Sequence, residues 1–125
     1  MILVTDQKRW RLLRDFEKGK FCFLICVDYW SIELQKSEFN SLYLLLLKIN
    51  EQLQNIKNEL MDEELITLEL EQLPWYIKLE GKKDAWSLRF IFESQDQTRS
   101  FEMYWPIPIA QDLFIEIKKM WESMD

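Results

Sequence analysis

The sequence predicts an α+β domain in which antiparallel sheets pack against two helices. One long segment repeats its apolar residues every three or four positions, and the segments on both sides of it alternate with a period of two. Only two Gly and three Pro occur in 125 residues, so few breaks are expected. The predicted element order is β-β-(β)-α-β-β-β-β-α. This length suits one domain, spanning residues 1–125.

The N-terminal third predicts two strands and a short optional third. Trp10 and Leu12 lie on one face of the first strand, and residues 15–20 form a turn around Gly19. The second strand alternates between one face and the other, with Phe21, Phe23, Ile25, Val27 and Tyr29 on the first and Cys22, Leu24, Cys26 and Asp28 on the second. Residues 31–34 fit the optional strand.

A long amphipathic helix is predicted over residues 37–61. Its apolar face recurs at steps of three and four, through Phe39, Leu42, Leu46, Ile49, Leu53, Ile56 and Leu60. Ser37 is the expected cap at its start.

Four strands and a second helix are predicted after the long helix. Alternating apolar residues mark the strands near residues 66–70, 75–80, 86–93 and 101–105. Pro74, a loop at 81–84 and a turn at 95–97 separate them. Pro106 and Pro108 end the last strand and precede a helix, because Pro fits the first helical turn.

Composition and charge exclude several functional classes. The chain has 16 basic and 22 acidic residues, a net charge of −6, which argues against a protein that mainly coats nucleic acid. It has no His, which excludes Ser-His-Asp and Cys-His catalysis and imidazole metal sites. No phosphate loop, zinc pattern, signal peptide or membrane-length apolar run is present. We therefore expect a cytoplasmic, non-enzymatic protein with no cofactor, no metal and no catalytic residues.

An acidic cluster of Glu59, Asp62, Glu63 and Glu64 closes the long predicted helix. Negative charge at a helix C-terminus opposes the helix dipole, so a compensating partner is expected. Arg89 is the predicted partner, in a structural salt-bridge network. A Mg²⁺ or Ca²⁺ site and paired-carboxylate catalysis are the alternatives, but a calcium-loop spacing and a nucleophile are both lacking.

A basic hairpin, residues 8–20, contains six basic residues against two acidic ones. Aromatic residues are interleaved with these bases, a composition typical of single-stranded nucleic-acid binding. The alternative is that the bases neutralise the acidic segment 59–71. The candidate nucleic-acid-binding residues are Arg9, Arg11, Arg14, Lys18 and Lys20.

Several motifs carry a family resemblance over roughly the whole chain: W-R-L at 10–12, W-S-I-E-L at 30–34, E-L-M-D-E-E at 59–64, S-L-R-F-I at 87–91 and F-E-x-x-W-P at 101–106. Together they resemble a cyanobacterial family of unknown function, with a fold similar to the Whirly class of single-stranded-DNA-binding transcriptional regulators. The resemblance implies two sheet-plus-helix copies in one chain. This sequence departs from the pattern at Gln35, where a Thr is expected, while Glu38 is retained.

Two functions follow as hypotheses. The net charge favours a protein-interaction module that meets an unidentified protein partner through the acidic surface at residues 59–71. The resemblance favours single-stranded nucleic-acid binding through the basic hairpin, although fold alone is a poor guide to function.

Overall fold

The computed structural model describes residues 2–124, except for the side chains of Leu3 and Asp6. The first half of the chain forms β1 (Ile2–Asp6), β2 (Trp10–Asp15), β3 (Phe23–Val27), β4 (Trp30–Leu34) and α1 (Lys36–Ile56). The second half forms β5 (Ile66–Gln72), β6 (Trp75–Lys82), β7 (Ala85–Glu93), β8 (Ser100–Trp105) and α2 (Ile109–Glu122). The predicted α+β class, with antiparallel sheets and two helices, is confirmed.

The first strand, β1, is the one element missing from the predicted order. Residues 2–4 are all apolar, so they lack the alternation that identifies a half-buried strand. β1 is an edge strand that pairs with β2 alone, from Ile2 opposite Asp15 to Asp6 opposite Arg11. The optional third strand of the prediction is β4, and it forms a full partner to β3.

Both sheets are meanders in which neighbouring strands follow each other along the chain. Sheet 1 has the order β1-β2-β3-β4 and sheet 2 the order β5-β6-β7-β8, all antiparallel. The β6–β7 hairpin is tighter than predicted, with only Lys83 and Asp84 between the paired Lys82 and Ala85. Gly81 at its base has a φ of +146°, and a Cβ there would stand 2.5 Å from the carbonyl oxygen of Ala85, so a side chain is excluded.

One hydrophobic core joins the two halves. α1 packs on β5 and β6 of sheet 2, whereas α2 contacts both β7 and β2 and so bridges the two sheets. Trp75, Trp86 and Trp105 are buried in this core, as their alternation predicts. No helix within residues 2–124 has the length and apolar character needed to cross a membrane.

The long helix begins one residue earlier and ends five residues earlier than predicted. Gln35 is the N-cap, and its backbone N–H donates to Oε1 of Glu38 at 2.9 Å, so Ser37 is not the cap. This bond is one of the two reciprocal bonds of a capping box. Gln35 stands at the position that Ser or Thr usually occupies in such a box. At the other end a 3₁₀ turn, Lys57–Glu59, follows Ile56 and leads into the acidic cluster.

Candidate functional site: the acidic loop and the basic hairpin

The acidic cluster lies in an exposed loop between α1 and β5, here called the acidic loop (residues 59–65). Its carboxylates meet lysines of the β6–β7 hairpin: Glu63 pairs with Lys82, and Asp62 lies 3.0 Å from Nζ of Lys83. The hairpin turn places these two lysines beside the loop. The predicted salt-bridge network therefore exists, but its cations come from the turn of the neighbouring hairpin.

The predicted pairing with Arg89 is wrong. Arg89 lies in the middle of β7 on the outward face of sheet 2, where its neighbour across the ladder is Tyr104 of β8. Its Nη1 donates to Oε1 of Glu102 at 2.9 Å, and its guanidinium lies 4.9 Å from the centre of the Tyr104 ring. The side chain thus engages its own sheet, and sequence spacing alone could not show which strand face it occupies.

Two further lysine contacts fix the base of the acidic loop. Nζ of Lys83 donates to the carbonyl oxygen of Leu60 at 3.1 Å, which satisfies a carbonyl just after the helix end. Nζ of Lys57 lies 2.8 Å from Oδ1 of Asp84, and the hydrogen bond from Lys57 lowers the pKa of the Asp84 carboxyl. These contacts hold the loop against the hairpin turn.

Two large apolar side chains project from the acidic loop into solvent. Met61 is 77% exposed and Leu65 is 78% exposed, on either side of Asp62, Glu63 and Glu64. Contiguous exposed apolar patches with a polar rim are typical of interaction sites. Sequence reasoning missed this feature, because it assigned residue 61 to the end of the helix, whereas the helix ends at Ile56.

Most of the chain's excess negative charge surrounds this loop. Residues 57–84 contain eight carboxylates and four lysines, whereas the net charge of the whole chain is −6. On the edge strand β5, Glu69 and Glu71 are exposed and extend the acidic surface away from the loop. Within residues 2–124, no group of three or more Cys, Asp or Glu side chains converges closely enough to hold a metal ion.

Two of the candidate nucleic-acid-binding residues in the basic hairpin, Arg9 and Lys18, have separate acidic partners. Arg9 makes two bonds to the carboxylate of Asp28, at 2.8 and 3.1 Å, and this hydrogen bonding lowers the pKa of Asp28. Lys18 pairs with Glu33 at 2.8 Å. The alternative reading, in which these bases neutralise segment 59–71, is therefore wrong for Arg9 and Lys18, because their acidic partners belong to the β3–β4 hairpin.

The other three bases face different directions. Arg11 is exposed on the outer face of sheet 1, whereas Arg14, three residues along the same strand, is half-buried on the core side. Lys20 follows a second 3₁₀ turn, Phe16–Lys18, and its Nζ lies 5.9 Å from the centre of the Phe21 ring. The structure does not bring the five bases together on one face.

A partly buried ion pair joins the two halves of the chain and was not predicted. Nη1 of Arg99, in the β7–β8 loop, donates to both carboxylate oxygens of Glu38 in α1, at 2.9 and 2.8 Å. Its Nη2 donates to the carbonyl oxygen of Glu33 in β4 at 2.6 Å. The guanidinium also lies near the rings of Phe21 and Phe92, at 4.6 and 5.2 Å.

The same region holds a buried tryptophan and a compact loop. Nε1 of Trp75 donates to the carbonyl oxygen of Glu38 at 3.0 Å. In the β7–β8 loop, Oδ1 of Asp96 accepts from the hydroxyl and the backbone N–H of Thr98 and from the hydroxyl of Ser94. These hydrogen bonds lower the pKa of Asp96 to about 2. Glu38, Trp75 and Arg99 are together called the junction below.

Comparison with known proteins identifies a family and a close fold relative. Residues 5–120 match the model of a domain of unknown function, DUF1818. The chain is also similar to a protein with unknown function from Prochlorococcus sp. NATL2A, described as a DUF155 family member and solved as a crystal structure. The two share 33% sequence identity with a TM-score of 0.88, over 95% of this chain and 98% of that one. A search of curated proteins gives no match. Because the family model spans most of its length, the chain belongs to the DUF1818 family.

Proposed function

We propose that this chain is a cytoplasmic, non-enzymatic module that binds a basic, partly apolar segment of a partner protein through the acidic loop and β5. The observation that carries the proposal is the pair of exposed apolar side chains, Met61 and Leu65, within a run of carboxylates. Apolar contact supplies affinity in such an interface, while charge selects the partner and speeds the encounter.

The excess of carboxylates indicates a basic partner. Four lysines offset only half of the eight carboxylates in residues 57–84, and Glu69 and Glu71 are exposed beside the loop. A cationic segment would meet an attractive potential there, whereas an acidic one would be repelled.

The lysine pairs of the acidic loop leave its carboxylates accessible. Glu63 and Asp62 have side chains that are 82% and 88% exposed, although each has a lysine partner. Exposed pairs of this kind contribute little stability, so a partner's lysine or arginine can replace the internal lysine at small cost. The pairs hold the loop in place without closing it to a partner.

The test uses a labelled 15-residue peptide of Lys and Leu, with a Glu and Leu peptide as the charge control, in a fluorescence-anisotropy titration. We expect the basic peptide alone to bind, and its affinity to fall as salt rises. The double variant M61S/L65S should weaken binding about tenfold or more, since it removes both apolar contacts. I107S/I115S is the matched double control, because both side chains are exposed, at 47% and 48%, and lie outside the acidic loop and β5.

Charge is tested separately with E63Q/E64Q, whose matched control is E51Q/E93Q on exposed glutamates elsewhere. The proposal predicts weaker binding for the first pair only. Equal binding of both peptides, or equal loss in both pairs of variants, would contradict it.

Single-stranded nucleic-acid binding is the second candidate. Its support is the succession of two four-stranded sheets, each followed by a helix, which agrees with the duplicated Whirly-like arrangement that the resemblance implies. The acidic partners of Arg9 and Lys18, and the core-side position of Arg14, weaken it. Titration of a labelled single-stranded oligonucleotide at low and physiological salt tests it. Binding that R11A/K18A/K20A abolishes would establish it over the first proposal.

A further inference from the structure

A small cavity lies on a different part of the molecule, where the end of β2 meets both helices. Its volume is about 300 Å³, at the lower end of the range for small-molecule sites. The lining side chains come from β2, the following 3₁₀ turn, the first residue of α1 and the end of α2: Arg14, Phe16, Lys36, Trp121, Ser123 and Met124.

Arg14 lines this cavity, and part of its guanidinium has no hydrogen-bond partner. Its Nε and Nη1 atoms are buried, and neither has a hydrogen-bond partner. The adjacent carboxylate, that of Asp15, is occupied by the backbone N–H of Glu17 at 3.1 Å. A buried donor without a partner is destabilising, and more so when the group is charged, so such a group calls for a ligand or another explanation.

A second cation faces the same cavity. The guanidinium of Arg14 lies 5.1 Å from the centre of the Phe16 ring, and Nζ of Lys36 lies 5.7 Å from the same centre. The ring attracts each cation, but the two cations repel each other. None of the described residues that line the cavity is acidic. An anion in the cavity would lie near both cations and reduce the repulsion between them.

We propose that this cavity binds the oxyanion group, carboxylate or phosphate, of a small molecule. The guanidinium of Arg14, which lines the cavity, would pair with the anion, since its planar fork of N–H groups matches the geometry of carboxylate and phosphate oxygens. Lys36 would add a second charge, while Phe16 and Trp121 would contact the apolar part of the ligand. This site does not depend on the acidic loop, so either proposal can fail without the other.

The test is a titration of ¹⁵N-labelled protein with inorganic phosphate and, separately, with acetate, at constant ionic strength. The signals followed are those of Arg14 Nε and Trp121 Nε1. We expect saturable shifts of both signals with at least one of the two anions. The anion that gives the shifts at lower concentration distinguishes a phosphate from a carboxylate ligand. Arg14→Gln and Lys36→Gln should each raise the dissociation constant tenfold or more. Lys36 is exposed at the start of α1, so K36Q remains informative even where R14Q impairs folding.

Matched controls are Arg89→Gln and Lys20→Gln, which remove one guanidinium and one ammonium elsewhere and should leave the shifts unchanged. Asp125→Asn removes the side-chain carboxylate that follows Met124 in sequence, and so tests whether this group competes with the anion. The proposal predicts equal affinity in this variant. The proposal is overturned when neither anion gives saturable shifts, when the controls reduce binding as much as R14Q and K36Q, or when binding appears only in D125N.

Discussion

The junction and the acidic loop use the same pairing of cation and carboxylate in very different surroundings. At the junction, the side chains of Glu38 and Arg99 are 10% and 28% exposed, and the pair is embedded in backbone and aromatic contacts. In the acidic loop, Glu63 is 82% exposed and Lys82 is 43% exposed. Burial decides what each pair does: the first fixes how the two halves of the chain fit together, and the second leaves charge available for a partner.

The largest expected effect is that of Arg99→Met at the junction. The change leaves Glu38 nearly buried without its partner, and the carbonyl of Glu33 loses a donor. Removing one member of a buried pair costs about 3–5 kcal/mol, and partial exposure reduces this to about 2–3 kcal/mol. Urea unfolding measures the difference.

The double variant E38M/R99M is the control for this first prediction. It removes both charges, so no uncompensated charge remains, and we expect it to recover a large part of the lost stability. A double variant no more stable than R99M would show that the contacts with Phe21 and Phe92 matter more than the ion pair.

A smaller effect is expected from tryptophan substitutions in the core. Trp75→Phe removes the hydrogen bond to Glu38, whereas Trp105→Phe removes a buried Nε1 that has no hydrogen-bond partner. Since both rings are fully buried, the loss of volume is similar. W75F should be about 1 kcal/mol less stable than W105F, measured by urea unfolding. Equal stabilities would mean that the Trp75 bond contributes nothing at the junction.

Lys82→Met in the β6–β7 hairpin should change stability by at most about 0.5 kcal/mol. Its partner, Glu63, is mostly exposed, and water solvates both groups once they separate. The same variant should strengthen binding of the basic peptide, because it frees a carboxylate of the acidic loop. A loss of stability approaching that of R99M would refute the distinction between the two regions.

The smallest expected effect is a pH dependence of stability that arises from Asp96 in the β7–β8 loop, which also carries Arg99. The pKa of Asp96 falls from 3.8 to about 2, through hydrogen bonds from Thr98 and Ser94. Because the pKa is lower in the folded state, the stabilisation from these hydrogen bonds is complete above pH 3.8 and is lost as the pH falls towards 2. A ¹³C titration of the carboxyl group should give a midpoint near 2. A midpoint near 3.8 would show that the bonds do not persist in solution.

The elements of this fold were largely predictable because its strands and helices are strongly patterned. Half-buried strands such as β6 and β7 alternate, and α1 keeps one apolar face over 21 residues. β1 escaped prediction because its first three residues are apolar in succession, and edge position cannot be deduced from one strand alone.

The sites were predicted less well, since they depend on which elements meet. The acidic cluster was visible as a run of carboxylates, but its lysine partners lie about 20 residues away and Arg89 was as plausible by spacing. The junction joins Glu38 to Arg99, 61 residues apart, through a loop whose path no local pattern encodes. The unsatisfied donors of Arg14 become visible only once its neighbours are known.

The order of strands in the two sheets has a consequence for how fast the chain folds. Every strand pair within residues 2–124 joins neighbours in sequence, so each hairpin can close a short loop before any distant contact forms. Local closure of this kind lowers the contact order of the sheets and favours rapid pairing. The bridging of the sheets by α2 requires distant segments to meet, so these contacts close much longer loops than the hairpins do and carry the larger closure entropy.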